Sequence, residues 1–417
     1  MDEPLLSALV STYASERYLR GCLDSLLAQT LGARLDILVV DADSPEREGE
    51  IVRSYMQRHG NIRYVRSPAR EGTSQAFDRA TALARGRYLT TANTDDRHHP
   101  EFAARLTAAL DRHPEFGIAY ADSAITHVDN ETWQRNTATL RYAWPDYTPA
   151  TALSCCLFGA QPVWRRAAHD VVGGWNAQRA RANDQDMFLR IALRFGAVHL
   201  REELGLFLMR PDSVSGASNR DDTLAEVLQV MRHYRTVTPL EVVFPALAEH
   251  PGDAVARAAA LFELGNLCAL GPYTDAGLAL DCYRQAACLE LPAGSVGPLR
   301  AAFANNSACV LHCAGLAAES ERALRAAGVS PAASTNAARI AEAARRGAVL
   351  RLRDLAFVEL DHPVIRSSRT SSGLEPDPVA GGLRWGAPAL RRPWDVFDGP
   401  SGAPRSGVAQ APAPSGR

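Results

Sequence analysis

Between residues 5 and 92, four short aliphatic runs alternate with three amphipathic segments, and few folds accommodate that order. Leu5–Ser11, Leu35–Val40, Ile62–Val65 and Tyr88–Ala92 have the composition of short buried strands. Ser15–Leu31, with Leu19, Leu23, Leu26 and Leu27 at helical spacing, reads as a helix, as do Gly49–His59 and Ser74–Ala84. A βαβαβαβ order predicts an α/β fold, a mostly parallel sheet with helices packed on its faces. The C-terminal ends of such strands share one edge. Ser11–Tyr13, Asp41–Ser44 and Asn93–Asp96 are therefore expected side by side, where open α/β sheets bind ligands.

The chemistry of that edge suits a nucleotide. Tyr88–Ala92 runs straight into Asn93-Thr94-Asp95-Asp96. Adjacent carboxylates at a strand end suit a hard divalent cation holding substrate phosphates. Tyr13 could stack on a base, Asp41 and Asp43 could accept hydrogen bonds from a base or ribose, and Asp95 and Asp96 could hold the metal. The structural alternative is a solvated turn that caps a helix beginning near Pro100. The sequence has no Walker motif, and no Gly-x-Gly-x-x-Gly follows the first strand, so a cation would have to neutralise the phosphates.

Composition narrows the partners. The 417 residues suffice for two or three domains, and an apolar fraction of 46% supplies a globular core. A formal net charge of -2 argues against nucleic acid or a membrane surface as a general partner. Met1–Pro4 is acidic and enters a strand at once, without the basic start and apolar core of a signal peptide. No apolar run is long enough to cross a bilayer. The eight cysteines include no Cys-x-x-Cys pair, which argues for reduced thiols in a cytoplasmic protein and against a structural zinc site.

Further along, Gly159–Arg166 is strand-like, Val172–Asn176 is a glycine-containing turn, and Asn183–Ala192 is a helix with Met187, Phe188, Ile191 and Ala192 on its apolar face. Asn183 is placed as its cap and Asp184 in its first turn. Asp184 could act as a general base toward an acceptor. Helix capping and dipole compensation are the structural alternative, and they suit Asp186 better. Beyond residue 220 the alternation stops. Leu224–Tyr234 is amphipathic, and Pro239–Arg353 is rich in Ala and Leu at helical spacing. Ala258–Leu270 with Ala276–Leu289 is one expected helix pair, and Asn305–Gly315 with Ala318–Ala327 a second. Leu264-Gly265, Ala279, Tyr283, Ala286 and Pro292 are similar in spacing to a tetratricopeptide repeat. The expected division is 1–235 for the α/β domain, 236–360 for a helical domain and 361–417 for a disordered Pro-, Gly-, Ser- and Ala-rich tail. Trp394–Asp398 within the tail is a candidate docking element.

Leu9-Val10-Ser11-Thr12-Tyr13, Val39-Val40-Asp41-Ala42-Asp43-Ser44, Ala84-Arg85-Gly86-Arg87-Tyr88 and Asn93-Thr94-Asp95-Asp96, in this order, resemble the N-terminal half of family-2 glycosyltransferases of the GT-A fold. The resemblance spans residues 4–215. It implies that Tyr13 lies beside the nucleotide base and that Asp41 or Asp43 contacts it. Asn93–Asp95 then overlays the Asp-x-Asp motif that carries metal and donor sugar, with Asn93 in place of the first acid. Asn183-Asp184 overlays a Glu-Asp motif whose Asp is the base of an inverting displacement. Arg210 stands near a position where the family often has a His; it cannot ligate a cation, but its fork of donors can neutralise a diphosphate. Donor contacts are accordingly expected from Thr12, Tyr13, Asp41, Asp43, Arg70, Asn93, Asp96 and Arg210. A Mn2+ or Mg2+ ion is expected at Asp95, and proton removal at Asp184.

The function so implied is inverting, metal-dependent transfer of a sugar from a nucleotide-diphosphate donor, with uridine favoured over guanosine or thymidine. A nucleotidyltransferase would need a Gly-rich basic signature that Ser11–Arg20 lacks. The alternative from another class is a degenerate sugar-nucleotide-binding adaptor, motivated by Asn93, Asn183 and Arg210. The helical domain is expected either to hold a peptide or protein acceptor or to form a homo-oligomer.

Overall fold

A computed structural model describes residues 3–370 apart from 160 and 214–216. The expected alternation is present as β1 (Leu6–Thr12), α1 (Glu16–Leu27), β2 (Leu35–Asp41), α2 (Glu48–Met56), β3 (Ile62–Arg66), α3 (Thr73–Leu83) and β4 (Tyr88–Thr91). All seven residues of β2 are buried, as a central strand covered on both faces requires. β1 pairs in parallel with β2 and β4, and β2 in parallel with β3. The register sets Thr12 beside Asp41, and Leu9 beside Thr91, so the three chains leave the sheet at one edge. Gly86 permits this close entry into β4. A Cβ there would lie 2.4 Å from the Ser7 backbone nitrogen.

The sheet then turns mixed. β5 (Arg97–His98), α4 (Phe102–Arg112), β6 (Ile118–Thr126), β7 (Leu140–Tyr142), α5 (Pro149–Ala152), β8 (Val163–Arg165), α6 (Arg166–Val172), α7 (Asn183–Phe195) and β9 (Ala197–Leu208) complete it. The strand order is β3-β2-β1-β4-β8-β6-β9-β5, with β7 on β6. β8 runs antiparallel to β4 and β6, β9 parallel to β6, and β5 antiparallel to β9. The chain thus leaves β4 in mid-sheet and re-enters at the far side of β9. Asn93–Asp96 bridges the mouth between them.

The pairing of β6 with β9 sets Tyr120 against His199, and their rings stack at 4.6 Å. His199 Nε2 lies 2.9 Å from Asp122 Oδ1 and Nδ1 lies 3.0 Å from Asp146 Oδ1. A ring bonded to carboxylates through both nitrogens donates twice and is an imidazolium. Burial works against that charge, but the two carboxylates outweigh it and raise the His199 pKa above 6.5. A group raised on folding adds stability that is complete below its unfolded pKa and fades as pH climbs through the folded value. His199→Gln is expected to cost about 2 kcal/mol below pH 6.5. Urea melts across pH should show the gap to wild type closing as pH rises; a gap that widened would exclude the ion pair.

Two apolar clusters cover the sheet. One packs β1 and β2 against α1, α2 and α4. The other, on the face of α3 and α7, continues without a break into α8 (Arg220–Val237), α9 (Leu240–Val243), α10 (Ala254–Leu270), α11 (Ala276–Ala287), α12 (Ala293–Cys313) and α15 (Pro363–Thr370), while α13 (Ala317–Ala327) and α14 (Pro331–Arg346) pack on α12 outside it. The expected boundary at residue 235 is therefore no break in packing. Buried Arg235 itself donates to the Leu153 carbonyl at 2.7 Å and the Tyr273 carbonyl at 2.8 Å. α10 and α11 form the expected first pair, and a Cβ on Gly265 would sit 2.4 Å from the Tyr283 ring. α12 begins twelve residues before the expected Asn305 and carries Pro298 within it. The segment from 361 is not tail throughout: α15 buries Val364 and Ile365. Trp394–Asp398 lies outside the described residues. No helix among the described residues is long and apolar enough to cross a membrane.

Candidate active site

The strand ends open onto a cleft of about 380 Å³. Its floor is Ser11, Tyr13, Thr91 and Asn93–Asp96, from the exits of β1 and β4. One wall is Arg70, Glu71, Thr73 and Phe77, where the chain turns into α3. The opposite wall is Arg181, Asn183, Asp184 and Phe188, around the start of α7. Phe207, Leu208, Arg210 and Ser213, from the exit of β9, close the far side.

At one end the Arg70 guanidinium carbon sits 3.3 Å from the centre of the Tyr13 ring. Tyr13 is 40% exposed even with Arg70 over its ring. Thr12, by contrast, is buried beneath the cleft, with its hydroxyl 2.7 Å from that of Ser15.

Asp41 and Asp43 do not line the cleft. Asp41 is fully buried and accepts from the Ser44 N–H at 2.7 Å, the Tyr64 hydroxyl at 2.6 Å and Arg66 Nη1 at 3.0 Å. Those donors engage both of its oxygens, and through them Asp41 fixes the loop after β2. Asp43, in the left-handed region at φ 63°, pairs with Arg66 Nη2 at 2.8 Å.

The bridge holds two acids in opposite situations. Asp96 is buried; its Oδ1 accepts from the Leu208 N–H and its Oδ2 from Asn93 Nδ2, each at 3.1 Å. Burial, reinforced by the Asp95 charge, pushes its carboxyl up to about 8. Asp96 thus ties the exit of β4 to that of β9. An asparagine at 93 serves this tie as a donor, which a carboxylate would not. Asp95 has its side chain 23% exposed and faces Arg210 Nη2 at 3.3 Å. Arg210 also pairs with Asp212 at 3.0 Å and lies over the Tyr18 ring. Its Nε has no partner among the described residues.

Among the described residues, no group of three or more His, Cys, Asp or Glu side chains could hold a metal ion. Magnesium-type sites nonetheless use one or two carboxylates completed by substrate phosphates and water. Asp95 fits that pattern, because it reaches the cleft without being bonded to backbone. Asp96 does not, because both its oxygens are engaged.

Asp184 faces the bridge from the opposite wall. Asn183 is the first helical residue of α7 rather than its cap. Its Oδ1 accepts from the Asp184 N–H at 2.9 Å, and its Nδ2 donates to Ser74 Oγ at 3.1 Å, tying α7 to α3. Asp184 Oδ1 accepts from the Gln185 N–H at 2.7 Å. Although the side chain meets solvent in the cleft, the surrounding protein displaces enough water to raise its pKa, and Glu226 adds to the rise. Asp186 points elsewhere and binds Arg190 Nε and the Tyr234 hydroxyl, each at 3.1 Å.

The cleft therefore unites Tyr13, Arg70, Asn93, Asp95, Asp96, Asp184 and Arg210, and leaves out Thr12, Asp41 and Asp43. It also contains Arg181 and Phe207, which the sequence did not single out. Arg181 had one available signal, a cation one helical turn before the candidate base.

Residues 7–185 match the family model described as Glycosyl transferase family 2. The chain is 36% identical over 104 residues to an uncharacterized glycosyltransferase, EpsJ, of Bacillus subtilis, covering 25% of this chain and 30% of that protein. It is 24% identical over 190 residues to chondroitin synthase of Escherichia coli, covering 45% and 26%. The chain thus spans less than a third of the length of these relatives. The crystal structure of S. aureus TarS 1-349 in complex with UDP-GlcNAc superposes with a TM-score of 0.50 at 15% identity, over 83% of this chain and 93% of that one. The mixed sheet and its flanking helices thus have the GT-A fold expected from the sequence.

Proposed function

We propose that the chain transfers a sugar from a nucleoside-diphosphate donor, with uridine favoured, to an acceptor with inversion at the anomeric carbon. The observation that carries this is the cleft itself. An exposed aromatic ring beside Arg70, a carboxylate–guanidinium pair and a carboxylate with a raised pKa all line one cavity. The base would lie at Tyr13 and the diphosphate near Asp95 and Arg210. Asp95 would hold a divalent cation together with the phosphates, and that cation would neutralise charge on the departing nucleoside diphosphate. Arg210 would add its own fork of donors there. The acceptor oxygen or sulfur attacks the anomeric carbon as the bond to the diphosphate oxygen breaks. Asp184 takes the acceptor's proton.

Tyr13→Ala tests the donor half. A base stacked on an aromatic ring loses roughly 1–3 kcal/mol on such truncation, so UDP affinity by calorimetry should fall about tenfold or more. No UDP binding by wild type, or equal binding by the variant, would overturn the placement. The competing adaptor function predicts binding without chemistry, and slow hydrolysis of UDP-sugars by wild type would exclude it. The proposed acceptor is a polypeptide held by the helices beyond residue 240, which contribute no residue to the cleft.

A further inference from the structure

Four buried asparagines stand on alternate helices of the C-terminal half: Asn266 on α10, Asn305 and Asn306 on α12, and Asn336 on α14. Their amides join one to the next. Asn306 donates to Asn266 at 2.9 Å, Asn305 to Asn306 at 3.0 Å, and Asn336 to Asn305 at 3.0 Å. The ladder grips a stretch of chain through its backbone. Asn336 accepts from the Ala356 N–H at 2.6 Å and donates to the Ala356 carbonyl at 2.9 Å. Asn306 does the same to Val358, at 2.8 Å and 3.0 Å. Bonding both backbone groups of residues i and i+2 is how one edge of an extended strand is paired. The stretch 355–362 has no regular secondary structure of its own.

We propose that the face formed by α10, α12 and α14 is a binding site for an extended polypeptide read through its main chain, and that residues 355–360 occupy it in cis. The strap is also held by apolar packing, with Leu355 buried and Phe357, Val358 and Leu360 against the core, so tying down α15 does not by itself require the amides. Buried amides carry a desolvation cost, and a hydrogen-bonded pair gains little over an apolar pair of the same shape. What the ladder adds is recognition of backbone whatever the side chains, with proline excluded where an N–H is needed. The incoming segment needs N–H groups at two alternate positions and must displace 355–360. The site stands apart from the transferase chemistry, so its test reads binding and not turnover.

The probe is a labelled peptide of residues 352–361, added to the full chain. Ala356→Pro with Val358→Pro removes both N–H groups from the internal strand and leaves the asparagines intact. The peptide should bind this variant at least tenfold more tightly than wild type. Adding Asn306→Ala and Asn336→Ala should abolish binding, as should prolines at the same two places in the peptide. A peptide that keeps Leu355, Phe357, Val358 and Leu360 but is shuffled at its other positions, without proline, should bind within about tenfold. A folded proline variant that ignores the peptide would overturn the proposal and leave 355–360 a structural strap. Should the proline variant fail to fold, amide exchange in wild type decides: excess peptide must accelerate exchange at Ala356 and Val358, and unchanged rates would refute it.

Discussion

Asp184→Asn is expected to lower turnover by roughly a hundredfold to ten-thousandfold, the range typical of a lost general base. The substitution is nearly isosteric and keeps an oxygen for the Gln185 N–H, so the start of α7 should hold. Donor affinity should hardly change, because the role proposed for this carboxylate is toward the acceptor. Water displaced by the surrounding protein first, and the Glu226 charge second, raise the pKa of Asp184 above 3.8, although its side chain is exposed to the cleft. Activity in wild type should therefore rise with pH through that raised value, as a base must be ionised to act, and the variant should lack this limb. Near-normal turnover with a lowered melting temperature would make Asp184 a structural residue only. Asp186→Asn is the control, and its bonds to Arg190 and Tyr234 predict a loss of stability with little loss of rate.

Asp95→Ala should abolish the effect of manganese on UDP binding and weaken that binding by at least ~100-fold, the upper end of what an outer-shell partner of a metal costs. The variant also strips Arg210 of a counter-charge across the cleft. Binding measured in chelator should consequently fall far less, or improve, as the guanidinium keeps only Asp212 as a counter-charge and can turn more fully to the phosphates. Asp96→Asn should act through the tie to Leu208 and show mainly as a lower melting temperature. Full activity in excess chelator, or unchanged affinity in Asp95→Ala, would remove the cation from the mechanism.

The first four strands and three helices were legible because each apolar run is short and bounded by polar or glycine-containing turns. Several later elements were not. β5 and β7 have two and three residues, too few to show a period. β6 is buried along all nine residues, yet Asp122 and Ser123 interrupt its apolar run, and burial there depends on the His199 pairing. Gly294, Gly297 and Pro298 are helix breakers by residue type, although α12 runs through all three. In the cleft, Tyr13, Asp95 and Asp184 could be placed because each lies next to a strand or helix end. The fate of Asp41 could not. Its partners Tyr64 and Arg66 alternate along β3 on one face and reach it only once β3 pairs with β2. Arg181 and Phe207 arrive from elements whose meeting depends on the return of β9.

The unbroken apolar cluster beneath α7 constrains how such a chain can have arisen. A catalytic sheet and a helical array that merely shared a linker could be shuffled between genes like beads on a string. Here Arg235 is caught between Leu153 and Tyr273, and the face under α5 and α7 is completed by side chains from α10 and α15. Recombination at residue 235 would expose an oily surface on each fragment and strand the Arg235 guanidinium. The two halves have to be inherited together, and any change in what the helices hold must be made by substitution along their outer layers rather than by exchange of the whole array.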